Sequence, residues 1–460
     1  MRRLLKWLAS GLCVLLVLAA GLWTWSRMQP LTPAQREAMA LLQPRPAPAG
    51  RNAFAAVWLL RYDVPAARME AVTDEDMARL RALVAEMPES VARLQAYRSV
   101  AADRYAELQP AAADADLFCG IREDCLQRVR ADPAAYAALV ARNRRLLERV
   151  AALRGDDFLR DRRPADFSVP MLEHNLLGTG ITQAAQAYAM GDIDAGVARA
   201  CEGVGTWRRL GARSDTLILR MQGIGLATDG YGRLLAQMLA ELPADHALPQ
   251  ACEAALAPPA VEELSVCDAL RKEHAVSSEV MRGILDSKAV GRIGRALGSI
   301  VYDPARTEAL AAESRTLACS GHTRRLLEAD AKVSPAPSPQ RSYWRMECLA
   351  NLSGCMLADI SNGADAGYVW RTQDAGARLD LLRGVASLRD ARAGEAAARA
   401  AALRRFWATT RSHARELRFV DGGAAVEVRQ FDQRRGGWWR LPLEAPVKAS
   451  APETPAAPAP

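Results

Sequence analysis

MRRLLKWLASGLCVLLVLAAGLWTWSR, residues 1–27, decides how the rest of the chain is read. Arg2, Arg3 and Lys6 precede an uncharged run from Trp7 to Trp25, 19 residues rich in Leu, Val and Ala. As a helix this run spans roughly 28 Å, about the thickness of a bilayer's hydrocarbon core. Trp7 stands at one end and Trp23 and Trp25 at the other, where amphipathic rings prefer the membrane interface. Three positive charges precede the run and Arg27 follows it, so the positive-inside bias puts residue 1 in the cytoplasm. The expectation is a single-pass signal anchor in the inner membrane through residues 7–25, with the bulk of the chain periplasmic. A cleaved signal peptide is the competing reading, because small Ala19 and Ala20 lie near the end of the run. The run is long for such a peptide and lacks an A-x-A pattern there. A lipoprotein fits less well, since Leu12 precedes Cys13 and most of the apolar run lies after it.

Beyond the anchor, 460 residues that are 50% hydrophobic, 25% charged and 6% aromatic exclude a disordered chain, a collagen-like fibre and a polytopic membrane protein. Abundant alanine and few β-branched residues favour helix. The net charge is +7, yet residues 1–27 hold four of the 60 basic residues and no acidic one. The remainder carries 56 basic against 53 acidic residues, a net of +3. The basicity is therefore largely topogenic. The arginines from Arg142 to Arg163 are broken up by Asp156, Asp157 and Asp161 and read as a solvated helix face and its loop. Nucleic acid is not an expected partner.

Nine cysteines support the same location. Cys13 lies in the apolar run. Cys119, Cys125, Cys201, Cys252, Cys267, Cys319, Cys348 and Cys355 are disulfide candidates for an oxidising periplasm, with 105 ways to pair, and buried free thiols are the alternative. Cys119 and Cys125 can bridge if the chain turns at Gly120 and a helix starts after it, because six residues of helix separate Cα atoms by about 9 Å. Cys348 and Cys355 can pair only if their helix ends near Ser353-Gly354. No C-x-x-C occurs. Cys319-Ser320-Gly321-His322 offers two metal ligands without a completing set, so neither a metal nor a cofactor is expected.

The chain divides by composition into an anchor (1–27), a Pro-rich spacer (28–50), a helical domain (51–411), a small β element packed on it (412–443) and a Pro/Ala-rich tail (444–460) read as disordered. Expected helices are Pro33–Leu42, then Ala53–Tyr62 capped by Asn52 and ended by Pro65, then a helix from Thr73 to Glu86 with Asp74, Glu75 and Asp76 in its first turn. Residues 89–108 read as another helix and 116–153 as a helical pair, the second starting at Asp132-Pro133. Two helix hairpins follow, one turning at Gly191-Asp192 and the other at Asp229-Gly230, stopped by Pro243. Helices are expected at 260–285, 288–300, 304–330, 342–358 and 376–411, with an exposed loop at Pro335, Pro337 and Pro339. Glu416–Val420 and Ala424–Phe431 read as a hairpin around Asp421-Gly422-Gly423, and Trp438–Leu443 as a third strand.

No G-x-S-x-G, S-x-x-K, H-E-x-x-H or Walker A motif is present. Gly178-Thr179-Gly180 and Gly223-Ile224-Gly225 follow no strand and read as close helix contacts. Glu173-His174 and Glu273-His274 set acids beside bases, but neighbours on a helix point about 100° apart, so neither pair is a ready dyad. Asp192-Ile193-Asp194 is too short for a calcium loop and suits a hairpin turn.

The hairpin carrying Ala184, Ala187, Tyr188, Gly191-Asp192, Ala195 and Ala198 resembles a tetratricopeptide unit, without a 34-residue period beyond it. Patches across residues 50–443 resemble single-span periplasmic helical envelope proteins of Gram-negative bacteria. These are Cys119 with Cys125-Leu126, Asn143-x-x-Leu146-Leu147-x-Arg149, Trp207-Arg208-Arg209-Leu210, Asp215-Thr216-Leu217-Ile218-x-x-Met221 and Trp438-Trp439-x-Leu441-Pro442-Leu443. The resemblance implies a helical extracytoplasmic domain and carries over no catalytic residue. The leading function is a non-enzymatic stacked-helix surface that holds a protein or envelope component. The alternative is a cell-envelope hydrolase or lytic enzyme with acids such as Glu173 in a helical groove.

Overall fold

Side-chain caps set many of the helix starts. The computed structural model describes residues 2–86, 96–166, 169–285, 291–334, 345–360, 364–389 and 395–444. Helix α1 (Arg2–Met28) runs through the whole apolar segment; Arg3–Met28 is long and apolar enough to cross a membrane, with mean hydropathy 2.0. Helix α2 (Pro33–Leu41) starts at a capping box in which Thr32 and Gln35 satisfy each other's amides. The longer helices that follow are α3 (Met69–Glu86), α4 (Cys125–Ala131), α5 (Pro133–Arg142), α6 (Arg144–Ala152), α7 (Thr179–Ala189), α8 (Ile193–Ala212), α9 (Leu217–Ile224) and α10 (Tyr231–Glu241). After them come α11 (Cys267–Gly283), α12 (Arg292–Val301), α13 (Pro304–Arg315), α14 (Gly321–Glu328), α15 (Leu352–Ile360), α16 (Ala364–Ser387) and α17 (Ala396–Ala408). Asp132, Asp192, Thr216, Asp303 and Ser320 each accept a first-turn amide proton.

The protein is mainly helical, with one small antiparallel sheet near its C-terminus. Strands β1 (Leu417–Val420), β2 (Ala425–Arg429) and β3 (Trp438–Pro442) lie in the order β1-β2-β3, with Val426 opposite Phe419 and Leu441. Val426, Val428, Trp439 and Leu441 face the core, and Arg440 faces out. The hairpin and third strand match the sequence reading because alternation and glycine turns are local signals; Gly422, Gly423, Gly436 and Gly437 all take positive φ.

Helix α8 is the hub. It packs on α7 across the Gly191 turn, on α9 and α10, and on the short helix Ala251–Ala255. Gly191 has φ +91°, the left-handed conformation that ends α7. Helices α8 and α9 cross where Gly211 meets Gly223, and a Cβ on Gly223 would stand 2.7 Å from the Gly211 Cα. The Gly223-Ile224-Gly225 stretch is thus a close helix contact. All eight expected cysteines pair: Cys119–Cys125, Cys201–Cys252, Cys267–Cys319 and Cys348–Cys355, with Cα separations of 5.5, 4.8, 4.9 and 5.9 Å. Cys13 is free and exposed on α1.

Several elements differ from the sequence reading. Asn52 heads only a five-residue helix, Phe54–Trp58, and ties it to a distant segment: its carboxamide oxygen accepts from Phe54 N and Arg160 N, and its NH2 donates to Arg160 O. That helix ends well before Pro65, because the chain turns to bridge Tyr62 with Glu107. Helix α3 begins one turn before Thr73, which is buried inside it. Asp76 is equally buried and accepts from Trp58 Nε1, Ser99 Oγ and Val100 N at 2.8, 2.6 and 2.7 Å. Of the helix expected at 89–108, residue 96 is helical, 97–99 are not, and a separate short helix follows at Ala101–Arg104. The pair expected at 116–153 is three helices, with Asn143 breaking the second span.

Asp229-Gly230 is no hairpin turn. Residues Gly225–Gly230 form a π-helical segment, and α9 and α10 each pack on α8 rather than on one another. The helix expected at 342–358 breaks at Ala350-Asn351, where Asn351 Oδ1 accepts from Asp303 N and Thr307 Oγ1. The Cys348–Cys355 bridge forms across that break, not across one at Ser353-Gly354. Residues 260–285 and 304–330 likewise form shorter helices; of the helix expected at 376–411, α16 ends at Ser387 and α17 starts at Ala396, and residues 390–394 lie outside the described residues. Helix α2, in the Pro-rich stretch, packs against α13, with Ala38 and Leu42 buried there. The segments 87–95 and 335–344, with Pro88, Pro335, Pro337 and Pro339, the start of the helix expected at 288–300, and the tail 445–460 lie outside the described residues.

Candidate functional site

A cleft of about 200 Å³ opens where three sequence-distant segments meet. One wall is formed by residues 161–166 and 169–174. Residues 158–161 are pinned on both sides, by bridges from Asn52 to Phe158 and from Leu159 to Ser214. Asp161 N donates to Asp215 Oδ1 at 2.8 Å. Arg163 then closes the loop, donating to the Asp161 carboxylate through its backbone N, Nε and Nη2 and to Pro170 O through Nη1. The second wall is the first turn of α9, with Thr216, Ile218 and Leu219; the third is the α11 face of Lys272, Glu273 and Val276.

The sequence pairs are split by this geometry. His174 and Glu273, one from each acid–base pair, line the cleft, and Glu173 and His274 do not. Glu173 is turned to Arg61, 3.2 Å away, so it is not the groove acid the hydrolase reading placed there. His274 is buried between α11 and α13; burial, with Arg315 and Arg282 nearby, pushes its pKa down to about 4. His174 Nδ1 lies 3.0 Å from Leu172 O; a carbonyl only accepts, so Nδ1 is the donor of this contact. The Glu273 carboxylate accepts from Leu217 N at the α9 N-terminus, where the helix dipole favours an anion. Among the described residues Lys272 makes no hydrogen bond or ion pair.

The lining is amphipathic. Val169, Leu172, Leu219 and Val276 give an apolar floor, and exposed Met171 and Ile218 flank the mouth. Among the described residues no serine or cysteine lines the cleft, and Thr216 Oγ1 is used in capping α9. Cys319 is bonded to Cys267, so the Cys319/His322 pair lacks a thiolate. A wider groove beside that disulfide is lined by Arg160, Arg271 and Arg324, but Asp268 and Glu262 already pair them.

Sequence reasoning singled out neither Asp161, Arg163 and Lys272 nor the charge of Asp215, because their partners lie about 50 or more positions away or carry no motif. The arginine patch is also not all solvated: Arg149 donates to Leu59 O and Val64 O, and Arg160 and Arg163 hold the cleft wall.

Asp215 supports a pH test. It is buried, and desolvation pushes its pKa up to about 6, against the opposing pull of the Asp161 amide and Lys272. The folded form therefore holds a proton that the unfolded chain releases near pH 4, and this group's contribution to stability falls as pH rises from about 4 to about 6. His274 has the opposite sign: the unfolded chain holds the proton up to about pH 6.5, so stability rises from about pH 4 to that point. The two slopes offset each other in the wild type. Asp215→Asn keeps the acceptor for Asp161 N and removes the charge. It is expected to gain on the order of 1–3 kcal/mol at pH 7 and to unmask the His274 rise in urea-unfolding profiles. A profile parallel to wild type would show that water reaches Asp215.

The chain matches no protein-family model, no curated protein and no solved structure at a significant level.

Proposed function

We propose that this chain is a single-span, inner-membrane-anchored protein whose residues beyond Arg27 form a periplasmic, disulfide-braced helical binding domain. The cleft of His174, Lys272 and Glu273 holds an apolar segment of a protein or envelope partner. The carrying observation is the cleft's lining: an apolar floor, an ammonium at Lys272 without an ion pair among the described residues and the imidazole of His174 suit an extended ligand with apolar side chains and one charged end. Charge asymmetry around the apolar run supports the topology. The four disulfides, all beyond that run, support the oxidising compartment. Asp161 is taken up by Arg163 and Glu273 by the α9 N-terminus, which favours binding over the hydrolase alternative, since that chemistry needs two carboxylates free to act on one bond.

The test uses the full chain in cells. A photo-crosslinking residue at Ile218 is expected to trap a discrete partner that Lys272→Glu abolishes, with no product from the same residue at exposed Met190. Equal capture at both positions sinks the cleft. Release of cell-wall fragments by the purified chain, lost in Glu273→Gln, would establish the hydrolase instead. For the topology, alkaline phosphatase fused after Leu60 should be active and green fluorescent protein there dark.

A further inference from the structure

Helix α12 is anchored to the protein at its end and almost nowhere else. None of its residues is buried. Gly298 is half-buried, close enough to Leu285 that a Cβ would collide with it. Ile293, Leu297, Ile300 and Val301 recur at i, i+4, i+7 and i+8 and share one face, with Ile293 77% exposed. Arg292, Arg295 and Ser299 occupy the other side, and among the described residues neither arginine has a partner. Nearby α15 shows a second apolar row, Leu352, Met356 and Ile360, the last 81% exposed.

Helix α12 ends, and α15 begins, near the point where α1 meets the folded domain. Trp23 Nε1 donates to Ile300 O at 2.7 Å, and Arg27 Nη1 donates to Ser299 O and Tyr302 O at 3.2 Å. The last carbonyls of α12, which have no partner within their own helix, are thus capped by donors from the end of the apolar span, and a cation sits at the negative end of the helix dipole. On the α15 side, Ser26 Oγ donates to Met346 O and accepts from Ala350 N. These contacts fix both helices at the level of Trp23–Arg27. There α1 passes from the hydrocarbon layer to water, in the belt where indoles settle. Ten residues make a helix of about 15 Å, too short to span, and α12 touches α1 through its terminus alone rather than packing along it.

We infer that α12 and α15 form a foot lying in the headgroup layer of the leaflet from which α1 emerges. Ile293, Leu297, Ile300 and Val301 enter the acyl boundary, and Arg292 and Arg295 meet lipid phosphates. An amphipathic helix with a basic polar face adopts this placement on anionic membranes. The foot sets how the domain stands on the membrane, and with it the direction in which the cleft opens. The inference rests on the reading of α1 as a membrane span, and its test separates the two.

The full chain is reconstituted in vesicles of phosphatidylethanolamine and phosphatidylglycerol, with one environment-sensitive fluorescent amino acid at Leu297, Leu16 or Met190. Nitroxide-bearing lipids then act as quenchers. Quenching at Leu297 and Leu16 and none at Met190 is expected. In the Arg292→Glu/Arg295→Glu variant quenching should be lost at Leu297 and kept at Leu16. Quenching at Leu16 without quenching at Leu297 overturns the foot and leaves the anchor standing. No quenching at Leu16 removes the anchor and the foot with it. A Leu297 probe shielded from aqueous iodide, untouched by lipid nitroxide and transferring energy between copies overturns the foot in favour of a second copy on this face.

Discussion

Replacing Arg415 by methionine is expected to cost about 3–5 kcal/mol, because it takes the two-pronged partner from buried Asp330, leaving it Arg411 at 3.3 Å, and leaves buried Asp374 without its guanidinium. The Arg415 side chain is 2% exposed, Asp330 1% and Asp374 2%. Its guanidinium donates through Nε and Nη2 to both oxygens of Asp330, at 2.6 and 2.8 Å, and through Nη1 to Asp374 at 2.6 Å. It also lies over the Phe431 ring, 3.6 Å from its centroid. The four partners come from separate stretches: Asp330 follows α14, Asp374 is on α16, Arg415 leads into β1, and Phe431 follows β2. Asp374 also accepts from Phe431 N and Asp432 N, so this cluster is the joint between the sheet and the helices. Asp330 has φ +45°, a left-handed conformation that aspartate tolerates better than most side chains. Lysine cannot rescue the site. A single ammonium lacks the planar fork that reaches both carboxylates, so Arg415→Lys should fall between wild type and Arg415→Met. Adding Asp330→Asn and Asp374→Asn to Arg415→Met should recover part of the loss, since the stranded charges are then gone. Urea-unfolding midpoints of the full chain in detergent decide it. A loss below about 1 kcal/mol for Arg415→Met would mean that water enters and screens the carboxylates.

Nothing in the sequence announces that joint. Arg415, Asp330 and Asp374 are three charges among 113 in the chain, and charged residues read as solvated unless a partner is in view. The same blindness explains Asp229-Gly230. As a dipeptide it is a turn signal. In the fold Asp229 is buried and accepts from Trp439 Nε1 and Arg378, and that distant satisfaction lets the chain continue through a π segment. Thr73 and Asp76 misled in the same way, because hydroxyl and acidic residues mark helix starts only when they reach solvent or an open first turn. What was legible was local: the apolar span, the Asp132-Pro133 start, the Gly191 turn, the glycine-linked strands and the Cys119–Cys125 turn. Half of the cleft was legible as chemistry and none of it as geometry. His174 and Glu273 stood out as residue types, but 99 positions separate them, and only the pinned loop 158–163 brings them to one opening.

The adjacent tryptophans at the C-terminal sheet are expected to differ sharply, although the sequence makes them look equivalent. On a strand successive side chains take opposite faces. Trp439 points inward, 3% exposed, and its Nε1 donates to Asp229 Oδ1 at 2.8 Å. Arg378 and Arg233 lie over its ring, each 5.6 Å from the centroid, and Arg378 pairs with Asp229 at 3.0 Å. Trp438 points to the outer face, half-buried beneath Arg418 and Arg429 at 4.0 and 5.1 Å. Trp439→Ala therefore removes a buried ring, leaves a cavity under β3 and takes a donor from a buried carboxylate, for an expected loss of about 3–5 kcal/mol. Trp439→Phe fills most of the cavity and loses the hydrogen bond, and should cost about 1–3 kcal/mol. Trp438→Ala gives up exposed cation–π contacts worth about 0.5–1 kcal/mol each. The variants are compared by urea midpoint, with near-ultraviolet circular dichroism to report ring packing. A larger loss for Trp438→Ala than for Trp439→Ala would mean that β3 is seated one residue out of register, with Trp438 and not Trp439 against Asp229.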